Sequence, residues 1–335
     1  MTPASDGGRW KGVAPSIASY WICSIGLVFL NKHLLSGTGA KLNIPLFITW
    51  CQCLTTVLLC VSLSLGSRIS RIFPRFPALD LSPKALISVL PLSIFFVAMI
   101  SFNNLCLRNN GVSFYYIGRS TSTVFNVMLS TWVLGIESSQ AVYVCCLILI
   151  IGFSIGSQPA SKENPLSMQG AFYGLFASIS LALNAIFTKK VLPQVGNCLW
   201  KLTWYNNVVT VVLFLPLMWL NGDVDRVSAN PPEQFFWQLL FISGLFGFTM
   251  NYVTAWQIEA TSPLTHNISA TAKSATQTLL AVIINREWKP FTWWVSNIVI
   301  LFGSSAYVYA RHLEMKMEEA EKLKNEQTAK KLKTN

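Results

Sequence analysis

The sequence predicts an all-α polytopic membrane protein with ten transmembrane helices arranged as two inverted five-helix repeats. Three observations carry this. Of the 335 residues, 52% are hydrophobic and only 12% charged, where ordinary soluble domains carry about 25% charged residues. Apolar runs close to the ~20 residues that cross a hydrocarbon core recur from end to end. Two pairs of these runs also match each other across the halves of the chain.

The runs lie near 13–35, 44–66, 85–107, 112–133, 139–157, 168–189, 199–221, 234–256, 262–284 and 290–311. Their connections are short, so residues 1–311 are expected to form one ten-helix domain, with a polar tail over 312–335. The first run is long and lacks a small-residue cleavage site, so it reads as a span and not as a signal peptide. The second and seventh runs align without gaps, Ile48-Thr49-Trp50 on Leu202-Thr203-Trp204, with small or polar residues at the next three positions of each. The fourth and ninth align at an offset that pairs Glu137 with Glu287 and Arg119 with Ser269. The repeats so defined are about 13–157 and 168–311. An odd number of spans in each forces opposite orientations, the architecture of carriers whose site lies near the midplane. Chance similarity among apolar helices of restricted alphabet is the competing account.

The net charge of +11 is read as topology, because basic residues crowd alternate connections. The face holding both termini has Arg9, Lys11, Arg68, Arg71, Arg75, Lys84, Lys189, Lys190 and Arg311 together with the lysines of the tail. That face is expected to be cytosolic. The eight cysteines form no Cys-x-x-Cys pair and mostly sit in apolar runs, so neither a disulfide framework nor a metal site is expected. His33, His266 and His312 are dispersed and no paired carboxylates fall within the spans, which argues against a membrane enzyme.

Arg119, Lys201 and Lys273 are the basic residues left inside spans. A lysine at the centre of a span costs about 2.5 to 3.5 kcal/mol, so it normally faces a polar cavity. On a helix, Ser262, Thr265, His266, Ser269, Lys273, Thr276 and Gln277 share one side of the ninth run, a stripe too polar for lipid. Close helix packing accounts for the Ser and Thr residues. Lys273 finds no acid within the spans, and an anionic ligand would supply its counter-charge. The fourth run repeats the pattern with Tyr115, Tyr116, Arg119, Ser122, Thr123, Asn126 and Ser130. Arg119 either snorkels to the interface or serves a gate by bonding carbonyls or tyrosine hydroxyls in one state. In the seventh run, Trp204-Tyr205-Asn206-Asn207 offers amide donors and acceptors suited to a nucleobase edge and rings that stack on its face. Interhelical hydrogen bonding is the alternative use of such amides, and packing is the expectation for Asn103-Asn104. Lys201 reads as an anchor near the interface. Asn184 and Lys190 are expected at the cytosolic mouth, where snorkelling explains the lysine equally.

From about Tyr20 to Arg311 the chain resembles the nucleotide-sugar transporters of the drug/metabolite transporter superfamily. The likeness rests on Phe29-Leu-Asn-Lys-His-Leu-Leu35, Ser101-Phe-Asn-Asn-Leu-Cys106, Tyr116-Ile-Gly-Arg-Ser-Thr-Ser-Thr-Val-Phe125, Tyr205-Asn206-Asn207 and Ser262-Pro-Leu-Thr-His-Asn267. It implies the drug/metabolite transporter fold, a Golgi address and antiport of a cytosolic nucleotide sugar against a luminal nucleoside monophosphate. Members that carry guanine nucleotides have Phe-Tyr-Asn-Asn where this chain has Trp204-Tyr205-Asn206-Asn207, which implies that Asn206 and Asn207 hold the guanine or ribose. The Gly-Ala-Leu-Asn-Lys motif of GDP-mannose carriers falls on Ser269-Ala-Thr-Ala-Lys273, which implies Lys273 at the diphosphate. Its neighbours Thr265, His266, Asn267, Ser269, Thr271 and Gln277 complete the expected site. The implied partners are GDP-fucose, GMP and the lipid bilayer, with no cofactor and no nucleic acid. Ala270 stands where fucose carriers are expected to have Gly, so GDP-mannose and UDP-sugars remain alternatives. A homodimer is a further candidate partner. The ending Lys331-Leu-Lys-Thr-Asn335 resembles a dilysine retrieval signal, implying coat-protein contact and cycling through the endoplasmic reticulum.

Overall fold

The computed structural model describes residues 6–36, 44–69, 76–135, 138–156, 168–260 and 290–334, with His266, Ser269, Ala270, Ala272, Lys273, Thr276, Gln277, Leu279, Leu280, Val282 and Ile283. The chain runs through α1 (Asp6–Ser36), α2 (Pro45–Ile69), α3 (Pro83–Leu134), α4 (Gln140–Gly156) and α5 (Met168–Val191). A 3-10 turn at Leu192–Val195 then leads to α6 (Leu199–Asn221), α7 (Asp223–Ala229), α8 (Gln234–Ala260) and α9 (Phe291–Thr334). No strand occurs among the described residues, and every described position between 266 and 283 is helical. Seven of the described helices are long and apolar enough to cross a membrane, and α4 is a shorter apolar helix. Large apolar side chains such as Leu58, Ile87, Leu147, Phe172, Trp219 and Phe302 lie on the outside, as helices bathed in lipid require. The protein is an all-helical, multi-pass membrane protein.

One boundary differs from expectation. The runs 85–107 and 112–133 lie in the single helix α3, whose 52 residues rise about 78 Å. Arg108-Asn-Asn-Gly111 contains no proline, and one glycine within a helix costs only about 1 kcal/mol, so local chemistry does not force a break there. At the other end of the chain, α9 carries the last apolar run on through the polar tail to Thr334.

Two compact units form, Met1–Tyr115 with Ser167–Thr261 and Tyr116–Leu166 with Ser262–Asn335. Each takes one stretch from each half of the chain, so the units and the sequence repeats divide the chain differently. In the first unit α2 packs between α6 and α8, and α8 also lies along α1. The first part of α3 packs on α5: Phe95 lies on Phe187 with centroids 5.1 Å apart, and Asn184 Nδ2 donates to the Leu92 carbonyl at 3.3 Å. Pro216 cannot donate within α6, which loosens the hydrogen-bond ladder at that level; Trp50 Nε1 of α2 donates to the nearby Val211 carbonyl at 3.1 Å. α6 stops at Gly222, whose φ of +72° suits glycine and lets its N–H reach back to the Met218 and Trp219 carbonyls.

Just beyond, between the spans of α6 and α8, Asp223 is fully buried. Its Oδ2 accepts the Phe47 N–H at 3.1 Å, satisfying an orphan donor at the start of α2, and its Oδ1 accepts from Asn221 at 2.6 Å. Burial pushes this carboxyl's pKa up, against the hydrogen bonds from Phe47 and Asn221 and the charge of Arg226. The start of α7 is thereby tied to the start of α2.

Close approach of α2 and α8 depends on Gly244. A Cβ there would lie 2.7 Å from Thr55 Cβ and 2.8 Å from its Cγ2, a β-branched side chain that cannot swing aside. Gly244→Ala is expected to destabilise the first unit by about 1 to 3 kcal/mol, read as a lower Tm of the detergent-solubilised protein. An unchanged Tm would show that the seam can part without cost.

In the second unit α4 and α9 pack along each other. Small residues bring them together: Ser296 Oγ donates to the Gly152 carbonyl at 2.7 Å, and a Cβ on Gly303 would stand 3.0 Å from Ile148. The latter part of α3 adds Val124 and Val127 to this core.

Candidate functional site

A cavity of about 450 Å³ lies within the first unit, in the size range of small-molecule sites, roughly 300 to 1,000 Å³. Carboxamides supply most of its polar lining: Asn31 from α1, Gln52 from α2, Asn103 and Asn104 from α3, Asn206 and Asn207 from α6 and Asn251 from α8. Thr49, Thr56 and Thr203 lie among them, Phe96, Ile48 and Ile100 give apolar wall, and none of the described residues lining it is charged. Such a lining offers hydrogen bonds in both directions without strong charge, a chemistry for bases and sugars more than for phosphates.

Helical periodicity explains which residues of α6 reach the cavity. Thr203, Asn206 and Asn207, at i, i+3 and i+4, share a face, and all three line it. Trp204 and Tyr205 point elsewhere and are buried, with rings edge to face at 4.8 Å. Tyr205 Oη donates to the Asp80 carbonyl at 2.6 Å and accepts the Ser82 N–H at 3.4 Å. Lys201 pairs with the Asp80 carboxylate at 3.4 Å. Tyr205, expected at the substrate, therefore fastens the segment before α3 onto α6.

The two asparagines are oriented by their partners. Ser93 Oγ, fully buried, donates to Asn206 Oδ1 at 2.8 Å, which turns the Asn206 amide nitrogen outward as a donor. Asn207 Nδ2 donates to the Thr203 carbonyl at 2.7 Å, which leaves its Oδ1 as an acceptor. Adjacent positions thus present one donor and one acceptor to the cavity.

Lys190, expected at the mouth, is an exposed residue at the end of α5, its ammonium 5.6 Å from the centre of the Phe187 ring. In the second unit, His266, Ser269, Lys273 and Gln277 fall on one helical stripe, with Ser269 and Gln277 buried and the other two half-buried. Thr276 is tied to its own helix, donating to the Ala272 carbonyl at 3.0 Å. Thr265, Asn267 and Thr271 lie outside the described residues. So do the side chains of Tyr115, Tyr116 and Arg119, though their backbone belongs to α3. Thr123 and Asn126 are half-buried on the later part of that helix.

Sequence reasoning passed over Asn31, Thr49, Gln52, Thr56 and Asn251 and assigned Asn103-Asn104 to packing. The overlooked signal was the repeat itself. In the alignment of the second and seventh runs, Thr49 falls on Thr203 and Gln52 on Asn206, and all four line the cavity.

A lipid-embedded helical protein that holds an amide-lined cavity belongs to the class of membrane carriers for small polar solutes. The chain belongs to the Triose-phosphate Transporter family, whose sequence profile matches residues 12–308. It is 52% identical to the GDP-fucose transporter of Caenorhabditis elegans over 304 residues, 90% of this chain and 83% of that one. It is 40% identical over 307 residues to a Drosophila melanogaster protein named "GDP-fucose transporter, Golgi", covering 89% of this chain and 90% of its relative. A solved structure described only as "Crystal structure of protein" superposes with a TM-score of 0.56 at 13% identity, over 92% of this chain and 100% of that one, a likeness of fold.

Proposed function

We propose that this chain carries GDP-fucose from the cytosol into the Golgi lumen, exchanging it for GMP by alternating access. The observation that carries the substrate is the 52% identity, over nine-tenths of the chain, to a protein named GDP-fucose transporter. The orientation of Asn206 and Asn207 supports it: their outward donor and acceptor complement guanine O6 and the N1–H or N2–H beside it. The amide-lined cavity takes the nucleoside. Lys273 neutralises the diphosphate, with Ser269, Thr265, His266, Asn267, Thr271 and Gln277 around the phosphates and hexose. Arg119, with Tyr115, Tyr116, Thr123 and Asn126, serves a gate, and Lys190 draws anions toward the cytosolic end. Binding shifts the inward and outward populations only through contacts that differ between them, so the exchanged anion eases a reorientation that the positively charged empty carrier resists. No bond is made or broken in this scheme, and no cofactor takes part.

The architecture proposed is ten crossings in two inverted repeats, with both termini cytosolic, and the fall of Thr49 and Gln52 on Thr203 and Asn206 supports the repeat. Ten crossings require α3 to reverse near Arg108–Gly111 in the bilayer. A glycosylation acceptor inserted after Gly135 is then expected to stay unmodified in microsomes, and a glycan there would overturn the turn. The tail is proposed to meet a coat protein through Lys331 and Lys333, and a homodimer is the proposed assembly.

Uptake by proteoliposomes tests the function. Vesicles loaded with GMP should accumulate radiolabelled GDP-fucose in preference to GDP-mannose or UDP-sugars. Uptake indifferent to internal GMP would remove antiport, and preference for another sugar would remove the substrate.

A further inference from the structure

The cavity lining carries a second oriented pair, on α1 and α2. Ser243 of α8 is fully buried, and its hydroxyl hydrogen goes to the Leu240 carbonyl at 2.8 Å. Its oxygen can then only accept, and it does so from Gln52 Nε2 at 2.9 Å. The other hydrogen of that amide goes to Asn31 Oδ1 at 2.7 Å. A fixed direction of donation therefore runs through three helices, and it settles both amides. Gln52 Oε1 is left as an acceptor and Asn31 Nδ2 as a donor, neither with another partner among the described residues, and both residues line the cavity.

We infer that Gln52 and Asn31 bind a vicinal diol of the ligand. One hydroxyl donates to Gln52 Oε1, and its neighbour accepts from Asn31 Nδ2. A donor and an acceptor side by side match two adjacent hydroxyl groups, each of which can take either role. The absence of charge among the described lining residues disfavours phosphate here, and Asn206 and Asn207 already offer a pair to the base. Ser243 touches no ligand in this scheme; it is a positioning residue that keeps Gln52 from flipping. The inference rests on the proposed nucleotide-sugar ligand, which carries such diols on both sugars, the 2′,3′ pair of the ribose and the 2,3 and 3,4 pairs of the fucose.

Competition against GMP exchange in proteoliposomes tests it. In Gln52→Leu, the wild-type preference for GMP over 2′,3′-dideoxy-GMP is expected to fall about tenfold if the ribose is held. If the fucose is held, the preference for GDP-fucose over GMP falls by a similar factor and the ribose ratio stays. Asn31→Ala should lower the same ratio as Gln52→Leu, and Ser243→Ala should lower it less, because the Gln52 amide remains but turns freely. These comparisons are ratios within one preparation, so poor folding lowers both terms and leaves them intact. Both ratios at wild-type values in Gln52→Leu and Asn31→Ala would overturn the assignment. Wild-type protein that exchanges GMP but ignores GDP-fucose would instead overturn the substrate reading, with the ribose comparison still open to measurement.

Discussion

Lys273→Ala is expected to slow exchange of GDP-fucose for GMP by about thirtyfold or more, since truncating one member of a desolvated charge pair costs some 2 to 5 kcal/mol. The argument starts from position. Lys273 is half-buried on the stripe that holds Ser269 and Gln277, in a run that the sequence places across the bilayer, where a lysine is retained only for use. The variant should lose GDP-fucose and GMP alike, because both carry phosphate. Guanosine, which has none, should compete as well as before if the carboxamide cavity is intact, and that separates a lost phosphate contact from a misfolded carrier. Lys273→Arg is expected to fall between the two: it keeps the charge but replaces a compact ammonium by a broad planar fork. Exchange at the wild-type rate in Lys273→Ala would place the diphosphate elsewhere.

The apolar runs were legible because hydropathy over twenty residues is a local property, and the helices α1, α2, α5, α6 and α8 follow them closely. The tandem amides of α6 were legible too, since two adjacent carboxamides are conspicuous in an apolar run. Tyr205 illustrates reading a motif without its geometry. Helical spacing alone sets it about 160° from Asn207, so the residue that completes the motif in sequence turns away from it in space. Gln52 was hidden for the opposite reason. A single amide between Cys51 and Cys53 carries no signal, and its meaning comes from Asn31 and Ser243 on two other helices. That tertiary information is absent from any local window, although the repeat alignment already set Gln52 on Asn206. The length of α3 was not legible either: Asn-Asn-Gly favours a turn, but without proline it does not compel one.

Asn206→Asp is the sharpest test of how the base is read, because it changes one atom and spares the scaffold. Ser93 Oγ can still donate to the carboxylate oxygen that replaces Oδ1, so the contact between α3 and α6 at 2.8 Å persists. What changes is the atom turned toward the cavity: the amide donor becomes an anionic acceptor opposed to guanine O6. An unmet or repelled polar group of this kind costs about 1 to 3 kcal/mol, so the apparent affinity for GMP should fall roughly tenfold to a hundredfold. Adenine presents an amino group where guanine has O6. AMP should therefore lose far less than GMP, and the preference for guanine should narrow or reverse. The same substitution at Asn207 is less clean, because its Nδ2 holds the Thr203 carbonyl at 2.7 Å and a carboxylate would face that carbonyl, straining α6 itself. Ser93→Ala complements both, since an Asn206 amide released from its anchor can turn either way and should relax base preference with a smaller loss of affinity. Competition of GMP and AMP against radiolabelled GMP exchange reads all of these, and an unaltered GMP to AMP ratio in Asn206→Asp would move the base away from α6.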